Sequence, residues 1–224
     1  MIVDERLTAY LHSLESTGSP VLERVRKEAL AADVPIIRPE TGALLRTLIR
    51  LQRPMRLLEV GTATGYSAIM MGECLAPGAS ITTIENYEKR IPIARANITA
   101  AGMADRIRLL EGDALKVMAD LTPGFDMIFM DAAKGQYIHF LPHVRRLLKS
   151  GGLLISDNVL QEGDIAMSRY AVTRRNRTIH SRMRDYIWEL KHSDDFETAI
   201  LTVGDGVALS TKISRPLKDT GETV

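Results

Sequence analysis

Five short apolar runs punctuate the middle of the chain, and each run ends next to a polar or acidic residue. They are MRLLEV (55–60), SITTIE (80–85), RIRLLE (106–111), FDMIFMD (125–131) and GLLISDN (152–158), with helix-like segments between them. Apolar runs of this length predict buried strands. Because strands that alternate with helices pack as a parallel sheet with helices on both faces, the pattern predicts a doubly wound α/β fold.

The two ends of the chain have different patterns. The first fifty residues predict helices in LTAYLHSLES, from Ser19-Pro20 through VLERVRKEALAA, and from about Thr41 through ETGALLRTLIRLQ. Near the other end, a helix from roughly Arg174 to Lys191 precedes ETAILTV, a Gly-Asp-Gly turn and VALSTKI. Two β-rich runs around such a turn predict a hairpin, which closes a mostly parallel seven-stranded sheet with antiparallel strands. We predict one domain over 1–214, with a helical cap over 1–53 and a flexible tail over 215–224.

Composition narrows the class of protein. The chain has 224 residues, of which 45% are hydrophobic and 25% charged, and this excludes a disordered or collagen-like chain. The single cysteine, Cys74, excludes an intramolecular disulfide framework and a multi-cysteine zinc site. No uncharged stretch approaches the ~18 residues that a membrane span needs, and the start lacks an export signal. We therefore expect a cytoplasmic protein with no membrane partner.

A glycine-bracketed loop follows the first strand, in LLEVGTATGYS. The strand ends at Glu59, Gly61 and Gly65 enclose the loop, and Ser67 begins a helix. Glycines permit close approach of backbone to a ligand, and free amides at a helix start can meet its polar groups. The loop lacks the middle glycine of the dinucleotide fingerprint, since Ala63 stands there, and it lacks the Gly-Lys-Ser/Thr of a P-loop. Alone, the loop is weak evidence for a ligand site, and a simple strand-to-helix turn is the alternative.

Two acids after the next strands extend this candidate site. Glu85 ends the second strand, 24 residues after Gly61, where a carboxylate can accept both hydroxyls of a ribose. Asp113, in the sequence Glu111-Gly112-Asp113-Ala114, follows the third strand and could equally be a helix N-cap. Since the carboxyl ends of parallel strands share one edge of the sheet, these signals together predict a nucleoside pocket.

The segments MDAAKGQY (130–137) and SDNVL (156–160) carry the strongest chemical signal. Asp131 ends the fourth strand, and Asp157 and Asn158 end the fifth. Neighbouring parallel strands would bring three side-chain oxygens to one edge, a donor set that suits a hard cation such as Mg²⁺. Two close carboxylates would repel each other without a cation. Lys134 follows Asp131 closely and is either a surface lysine or a general base or oxyanion partner.

One segment concentrates positive charge. Residues 169–184 contain six arginines and no acid. Since the chain has net charge +1 and this segment contributes +6, the remainder carries −5. A solvated helix face is the ordinary explanation of a charge run, but acids normally accompany it. The asymmetry favours contact with a polyanion, with Arg174, Arg175 and Arg177 as candidate phosphate ligands.

Together these motifs resemble a known family. LLEVGTATGYSAI, the strand-end Glu85, GDA at 112–114, MDAAKGQY and SDNVL are similar to the cation-dependent class I O-methyltransferases, the family of catechol O-methyltransferase. VPII near residue 35, RRNRT and VGDG are most similar to the bacterial branch that methylates 5-hydroxyuridine at the tRNA wobble position. The resemblance implies a Rossmann-like fold, S-adenosylmethionine, Mg²⁺ or another divalent cation, the tRNA anticodon loop as partner and, by analogy, a homodimer.

The resemblance also implies a role for each site residue. The implied cofactor contacts are Ile37, Glu59, Gly61, Gly65, Ser67, Glu85, Gly112, Asp113 and Asp131. The implied metal ligands are Asp131, Asp157 and Asn158, with Asp131 and Lys134 as catalytic residues. Three alternatives stay open: the same catalyst acting on a small catechol or phenol, a nicotinamide-dependent oxidoreductase, and a non-catalytic RNA-binding protein.

Overall fold

The computed structural model describes residues 4–15 and 18–214, so the predicted tail over 215–224 lies outside the described residues. The helices are α1 Glu5–Ser13, α2 Pro20–Ala31, α3 Pro39–Gln52, α4 Tyr66–Cys74, α5 Ile91–Ala100, α6 Ala114–Asp120, α7 Tyr137–Leu147 and α8 Arg177–His192. The strands are β1 Arg56–Val60, β2 Ser80–Glu85, β3 Ile107–Glu111, β4 Phe125–Met130, β5 Leu148–Ser156, β6 Phe196–Leu201 and β7 Val207–Lys212. In these ranges, no helix has the length and apolar character of a membrane span.

The seven strands form one sheet in the order β3-β2-β1-β4-β5-β7-β6. Strands β1 to β5 are parallel, and β7 pairs antiparallel with both β5 and β6. This arrangement confirms the predicted doubly wound sheet with its closing hairpin. The chain winds outward in opposite directions from β1 and β4, which lie side by side at the centre. In such sheets the crevice for a ligand lies at the carboxyl ends of the strands, where the winding reverses.

Two apolar cores cover the two faces of the sheet. Along β4, Met127 and Phe129 point into one core, and Ile128 and Met130 point into the other. Helices α2 to α5 supply the first core with side chains such as Leu22, Leu45, Ile69 and Ile98. Helices α6 to α8 supply the second with Met118, Val144 and Met183. Since successive residues of a strand face opposite sides, the continuous apolar runs in the sequence reflect burial on both faces.

Three boundaries differ from the sequence pattern. Strand β5 begins at Leu148 rather than at Gly152, because Leu148 still pairs with Phe125 across a register shift. Helix α3 begins at Pro39, two residues before Thr41. The arginine-rich helix begins at Arg177, after a short 3₁₀ turn over 174–176. The helical spacing in the sequence predicts a buried stripe of Ile179, Met183, Ile187 and Leu190. The helix instead buries His180, Met183, Tyr186 and Leu190, and Ile179 is exposed.

Candidate active site

A cavity of about 830 Å³ opens at the carboxyl ends of the parallel strands. Each of the five strands contributes to its lining with the residue at its end or just beyond it, namely Gly61, Glu85, Gly112, Asp131 and Asp157. The segment 35–38 before α3, including Ile37, and the β6–β7 turn also line it. Signals that are spread over a hundred residues of sequence therefore meet in a single concave site.

The loop after β1 approaches the end of β4 very closely. Gly61 has φ +106°, and a Cβ at this position would lie 2.1 Å from the carbonyl oxygen of Asp131. Only glycine fits this contact and this backbone conformation. The amides of Gly61 and Thr62 both donate to the carbonyl of Ile84, at 3.1 and 3.2 Å. The loop is thereby fixed against β2 and β4. Gly65, the N-cap of α4 at φ +87°, turns the chain into the helix, and it does not line the cavity.

Glu59 is fully buried and lies behind this loop. The hydroxyls of Ser67 and Thr83 each donate to its carboxylate at 2.5 Å. Burial raises the pKa of Glu59 to about 7, although the two hydrogen bonds oppose the shift. Glu59 does not line the cavity, so the structure does not place it where the predicted direct contact with a cofactor would need it. Its carboxylate orients Ser67, which does line the cavity.

Backbone amides hold the Glu85 carboxylate at the rim of the cavity. One oxygen accepts from Ala63 at 2.7 Å, and the other accepts from Asn86 and Tyr87 at 2.9 Å each. Three such bonds fix the direction of the carboxylate before any ligand binds.

Asp113 combines the two roles that the sequence left open: one oxygen accepts from the amides of Leu115 and Lys116 as the N-cap of α6, and the residue lines the cavity.

Asp131 and Asp157 follow neighbouring strands in matching register. Met130 of β4 pairs with Ser156 of β5, so the two aspartates come next on each strand. The Asp157 amide donates to the Met130 carbonyl at 3.0 Å. Asn158, at φ +57°, turns the chain out of the strand, and all three predicted ligands line the cavity. Burial raises the pKa of both aspartates, and the charge of Asp131 raises that of Asp157 further.

The chemistry of this donor set fits a divalent cation. Within 4–15 and 18–214, neither Asp131 nor Asp157 forms an ion pair with a basic side chain. The half-buried carboxylate of Asp131, the buried carboxylate of Asp157 and the carboxamide of Asn158 offer three hard oxygens, and Mg²⁺ commonly keeps water at its remaining positions. The same part of the chain has no cluster of three or more His, Cys, Asp and Glu side chains placed to hold a metal. The predicted set contains only two such side chains, Asp131 and Asp157, because its third oxygen belongs to Asn158.

Lys134 also lines the cavity, and its partner was not foreseen from the sequence. Its ammonium lies 3.5 Å from Asp205, a carboxylate that is 5% exposed and belongs to the β6–β7 turn. Asp205 also accepts a hydrogen bond from the Glu162 amide. A Cβ at Gly206 would lie 2.2 Å from Leu160, so the turn needs glycine to approach the segment after Asn158. The acid between two glycines was the available signal, and the pattern predicted only a turn.

The arginine-rich segment divides into two groups. Arg177 donates to the carbonyls of Val172 and Tyr170, at 3.3 and 3.4 Å, and Arg182 and Arg184 likewise bind loop carbonyls. These three arginines hold the loops around α8. Arg177, predicted as a phosphate ligand, therefore has a structural role in this conformation.

The other three arginines of the segment face solvent. Arg169, Arg174 and Arg175 are exposed, and none forms an ion pair with an acid among the described residues. Tyr170, which follows Arg169 in the sequence, is 80% exposed, and the Arg177 guanidinium lies 5.7 Å from the centroid of its ring. The structure thus favours the three exposed arginines as the candidate basic surface.

The doubly wound sheet, the glycine loop after β1 and the acids at the carboxyl ends of the strands are typical of nucleoside-binding α/β enzymes. Residues 12–213 match the family model described as O-methyltransferase, and the chain belongs to this family. A caffeoyl-CoA O-methyltransferase of Eucalyptus globulus is 32% identical over 224 residues, which cover 92% of this chain and 88% of the relative. A catechol O-methyltransferase of Niastella koreensis is 30% identical over 72% of this chain and 69% of its own length.

A solved structure gives the same likeness in three dimensions. The O-methyltransferase from Bacillus cereus in complex with SAH superimposes with a TM-score of 0.82 at 27% identity, covering 92% of this chain and 97% of that one. These relatives support the predicted family and leave the acceptor open, since their names include both catechol and caffeoyl-CoA enzymes.

Proposed function

We propose that this chain is an S-adenosylmethionine-dependent and divalent-cation-dependent O-methyltransferase that converts 5-hydroxyuridine at the tRNA wobble position to 5-methoxyuridine. The observation that carries the proposal is the combination in one cavity of the Gly61 loop, the Glu85 carboxylate and the donor set Asp131, Asp157 and Asn158. The Gly61 loop and Glu85 suit S-adenosylmethionine, the methyl donor. The three oxygen ligands suit a cation that binds an acceptor with two adjacent oxygens.

In this proposal, the residues that follow β1, β2 and β3 bind the methyl donor S-adenosylmethionine. Glu85 accepts from the ribose hydroxyls, for which its direction is already fixed by three amides. Gly61 and Ser67 meet the amino-acid part of the donor, and Gly112 and Asp113 lie toward the base. Ile37 closes the cavity from the segment before α3. The complex of the B. cereus relative with SAH supports this class of donor.

Methyl transfer from a sulfonium requires alignment of the acceptor oxygen with the donor and removal of its proton. A divalent cation, when bound by Asp131, Asp157 and Asn158, supplies Lewis-acid polarisation that lowers the pKa of the acceptor hydroxyl. The proton of the acceptor hydroxyl passes to solvent water at the open side of the cavity, and Lys134 stabilises the resulting negative charge while Asp205 holds its ammonium in place. Transfer of the methyl group to this oxygen breaks its bond to the sulfonium sulfur and leaves S-adenosylhomocysteine.

The basic surface favours RNA over a free phenol as the acceptor. Arg169, Arg174 and Arg175 are exposed and have no acidic partner among the described residues, so phosphates can bind there without displacing an ion pair. Since a stacked base cannot reach a cavity, the wobble nucleotide must leave the stack of the anticodon loop. The exposed Tyr170, which follows Arg169 in the sequence, provides an aromatic ring in the same segment.

A small catechol or phenol is the second candidate acceptor. The names of the relatives favour it, because both catechol and caffeoyl-CoA substrates carry adjacent oxygens on one ring. The 5-hydroxyl and O4 of 5-hydroxyuridine are likewise on adjacent ring carbons, so the three oxygen ligands do not distinguish the RNA acceptor from the small phenol. The exposed arginine surface supports RNA as the acceptor.

Parallel assays with the two acceptors test the proposal. The enzyme is incubated with methyl-labelled S-adenosylmethionine, Mg²⁺ and either 5-hydroxyuridine-containing tRNA or catechol, and the nucleosides are analysed by mass spectrometry. We expect labelled 5-methoxyuridine that disappears with EDTA. Transfer to catechol with none to tRNA would replace this proposal by the second candidate.

Salt dependence of tRNA binding isolates the arginine surface. The double variant Arg174→Ala, Arg175→Ala should bind tRNA more weakly, and the slope of log K against log salt should fall by about one for each phosphate that is no longer bound. Arg108→Ala, an exposed arginine on the edge strand β3, is the matched control and should change neither quantity. Equal slopes for the double variant and wild type would remove the reason to prefer RNA.

We also propose that the chain forms a homodimer. Helix α1 has no buried residue, and it exposes the apolar side chains Leu7, Tyr10 and Leu11, followed by Leu14 at its C-cap. An apolar stripe of this kind is typical of an interface. Sedimentation velocity should give a dimer, and a monomer at micromolar concentration would contradict it.

A further inference from the structure

Two buried tyrosines pack against each other beneath the candidate cation site. Tyr137 begins α7 and Tyr186 lies on α8, and neither ring is exposed. Their centroids are 5.5 Å apart at an interplanar angle of 79°, an edge-to-face pair. A buried phenol needs a hydrogen-bond partner, so the partner of each hydroxyl indicates what that ring holds in place.

The Tyr137 hydroxyl bridges the ends of the two strands that carry the aspartates. It lies 3.1 Å from the carbonyl of Met130 and 3.2 Å from the carbonyl of Asp157. Met130 immediately precedes Asp131, and its carbonyl also accepts the amide of Asp157. One phenolic proton is thus shared between the backbone beside one carboxylate and the backbone of the other.

The Tyr186 hydroxyl has a different partner. It pairs with the side-chain oxygen of Ser156 at 2.6 Å. Ser156 is fully buried, does not line the cavity and is not in the predicted ligand set. The two tyrosines are therefore alike in burial and packing, but only Tyr137 binds the backbone from which the ligands extend.

We propose that Tyr137 is a positioning residue for the cation site, which fixes the separation of Asp131 and Asp157 through the backbone. The inference rests on the proposed function, since it requires that the donor set binds a divalent cation. Mg²⁺ and similar ions need ligands at near-ideal positions, and loss of an outer hydrogen-bond partner commonly weakens metal binding 10- to 100-fold. Without the hydroxyl, the strand ends keep only their direct backbone bond.

The test compares Tyr137→Phe with Tyr186→Phe. Each variant removes one buried hydroxyl from the same ring pair and leaves the packing surface unchanged. Mn²⁺ is titrated into each protein with S-adenosylhomocysteine present, and free Mn²⁺ is measured by electron paramagnetic resonance, a readout independent of turnover. Thermal unfolding sets a temperature at which all three proteins are folded.

We expect Tyr137→Phe to raise the Kd for Mn²⁺ at least about tenfold, and Tyr186→Phe to leave it within about twofold of wild type. An unchanged Kd in Tyr137→Phe, or an equal rise in both variants, would overturn the positioning role while the cation site itself stands. Absence of Mn²⁺ binding by wild type would overturn both the site and the inference. The two failures are therefore distinguishable.

Discussion

Glu59 and Asp157 are buried acids and Asp131 is a half-buried one, yet their surroundings differ. Two hydroxyl groups donate to Glu59 at 2.5 Å, and the side chain does not line the cavity. The aspartates line the cavity, lie close to each other and form no ion pair with the described basic residues. Burial raises the pKa of all three. What separates a structural acid from a ligand here is whether the protein itself supplies its partners.

The largest effect expected from this comparison is on Asp157. Asp157→Asn keeps the shape of the side chain but removes one anionic ligand, so we expect kcat/KM for methyl transfer to fall by about 10³-fold, since several kcal/mol of stabilisation are lost. Steady-state kinetics over a range of Mg²⁺ concentrations measures the change. The folded state should be retained by circular dichroism, because the variant also removes the repulsion from Asp131. Full activity that is insensitive to EDTA would rule out the proposed ligand role.

A smaller effect is expected at Lys134, whose ammonium group lines the cavity on the side of Asp205. Lys134→Met preserves most of the length and removes the ammonium, and kcat should fall by about 100-fold, as expected for a group that stabilises charge or transfers a proton. The KM for S-adenosylmethionine should change little. Lys149→Met, at an exposed ion pair with Asp126, is the control and should leave kcat unchanged. If both variants are equally active, Lys134 is only a surface lysine.

The smallest effect on activity is expected at Glu59, where pH dependence is the informative measurement. Glu59→Gln should reduce kcat/KM by less than about tenfold, because the side chain acts through Ser67. The native pKa of about 7 exceeds the ordinary glutamate pKa of 4.5, so the native state keeps a proton that the unfolded state loses between these pH values. This contribution to stability is complete below pH 4.5 and is lost as pH rises to 7.

Urea unfolding of wild type and Glu59→Gln at several pH values measures this contribution. The difference in the free energy of unfolding, wild type minus variant, should decrease by up to about 3 kcal/mol across that window. A difference that is constant with pH would mean that Glu59 stays ionised in the native state. Its two hydroxyl partners would then outweigh burial.

The sequence predicted much of the fold because each strand is buried on both faces and each acid follows a strand directly. The apolar runs located all seven strands, and in a parallel sheet the residues after those runs must share an edge. The boundary of β5 was missed because a register shift lets Leu148 pair ahead of two glycines, a tertiary feature with no local pattern. The stripe of α8 was misplaced by Ile179, because periodicity alone does not tell which apolar residues at its border are covered.

The site was predicted less evenly. Asp131, Asp157, Asn158, Glu85 and Gly61 were found because strand ends and glycine spacing carry local signals, and they do line one cavity. Glu59 and Gly65 belong to the same motif but support the loop from outside the cavity. Asp205 was missed, since its pairing with Lys134 depends on the antiparallel hairpin reaching back to the parallel strands.

Local patterns in the sequence determined that a sheet forms, the order of strands and helices along the chain, and the edge of the sheet at which the acids and glycines lie. Tertiary packing alone decided which acids face the cavity and which are buried behind it. The direction of each acidic side chain and the hydrogen-bond donors that surround it depend on other elements of the fold. It also decided which arginines hold loops and which face solvent. Tyr137 shows both contributions. The sequence places it six residues after Asp131, and only the tertiary structure brings the Asp157 carbonyl of the neighbouring strand within reach of its hydroxyl.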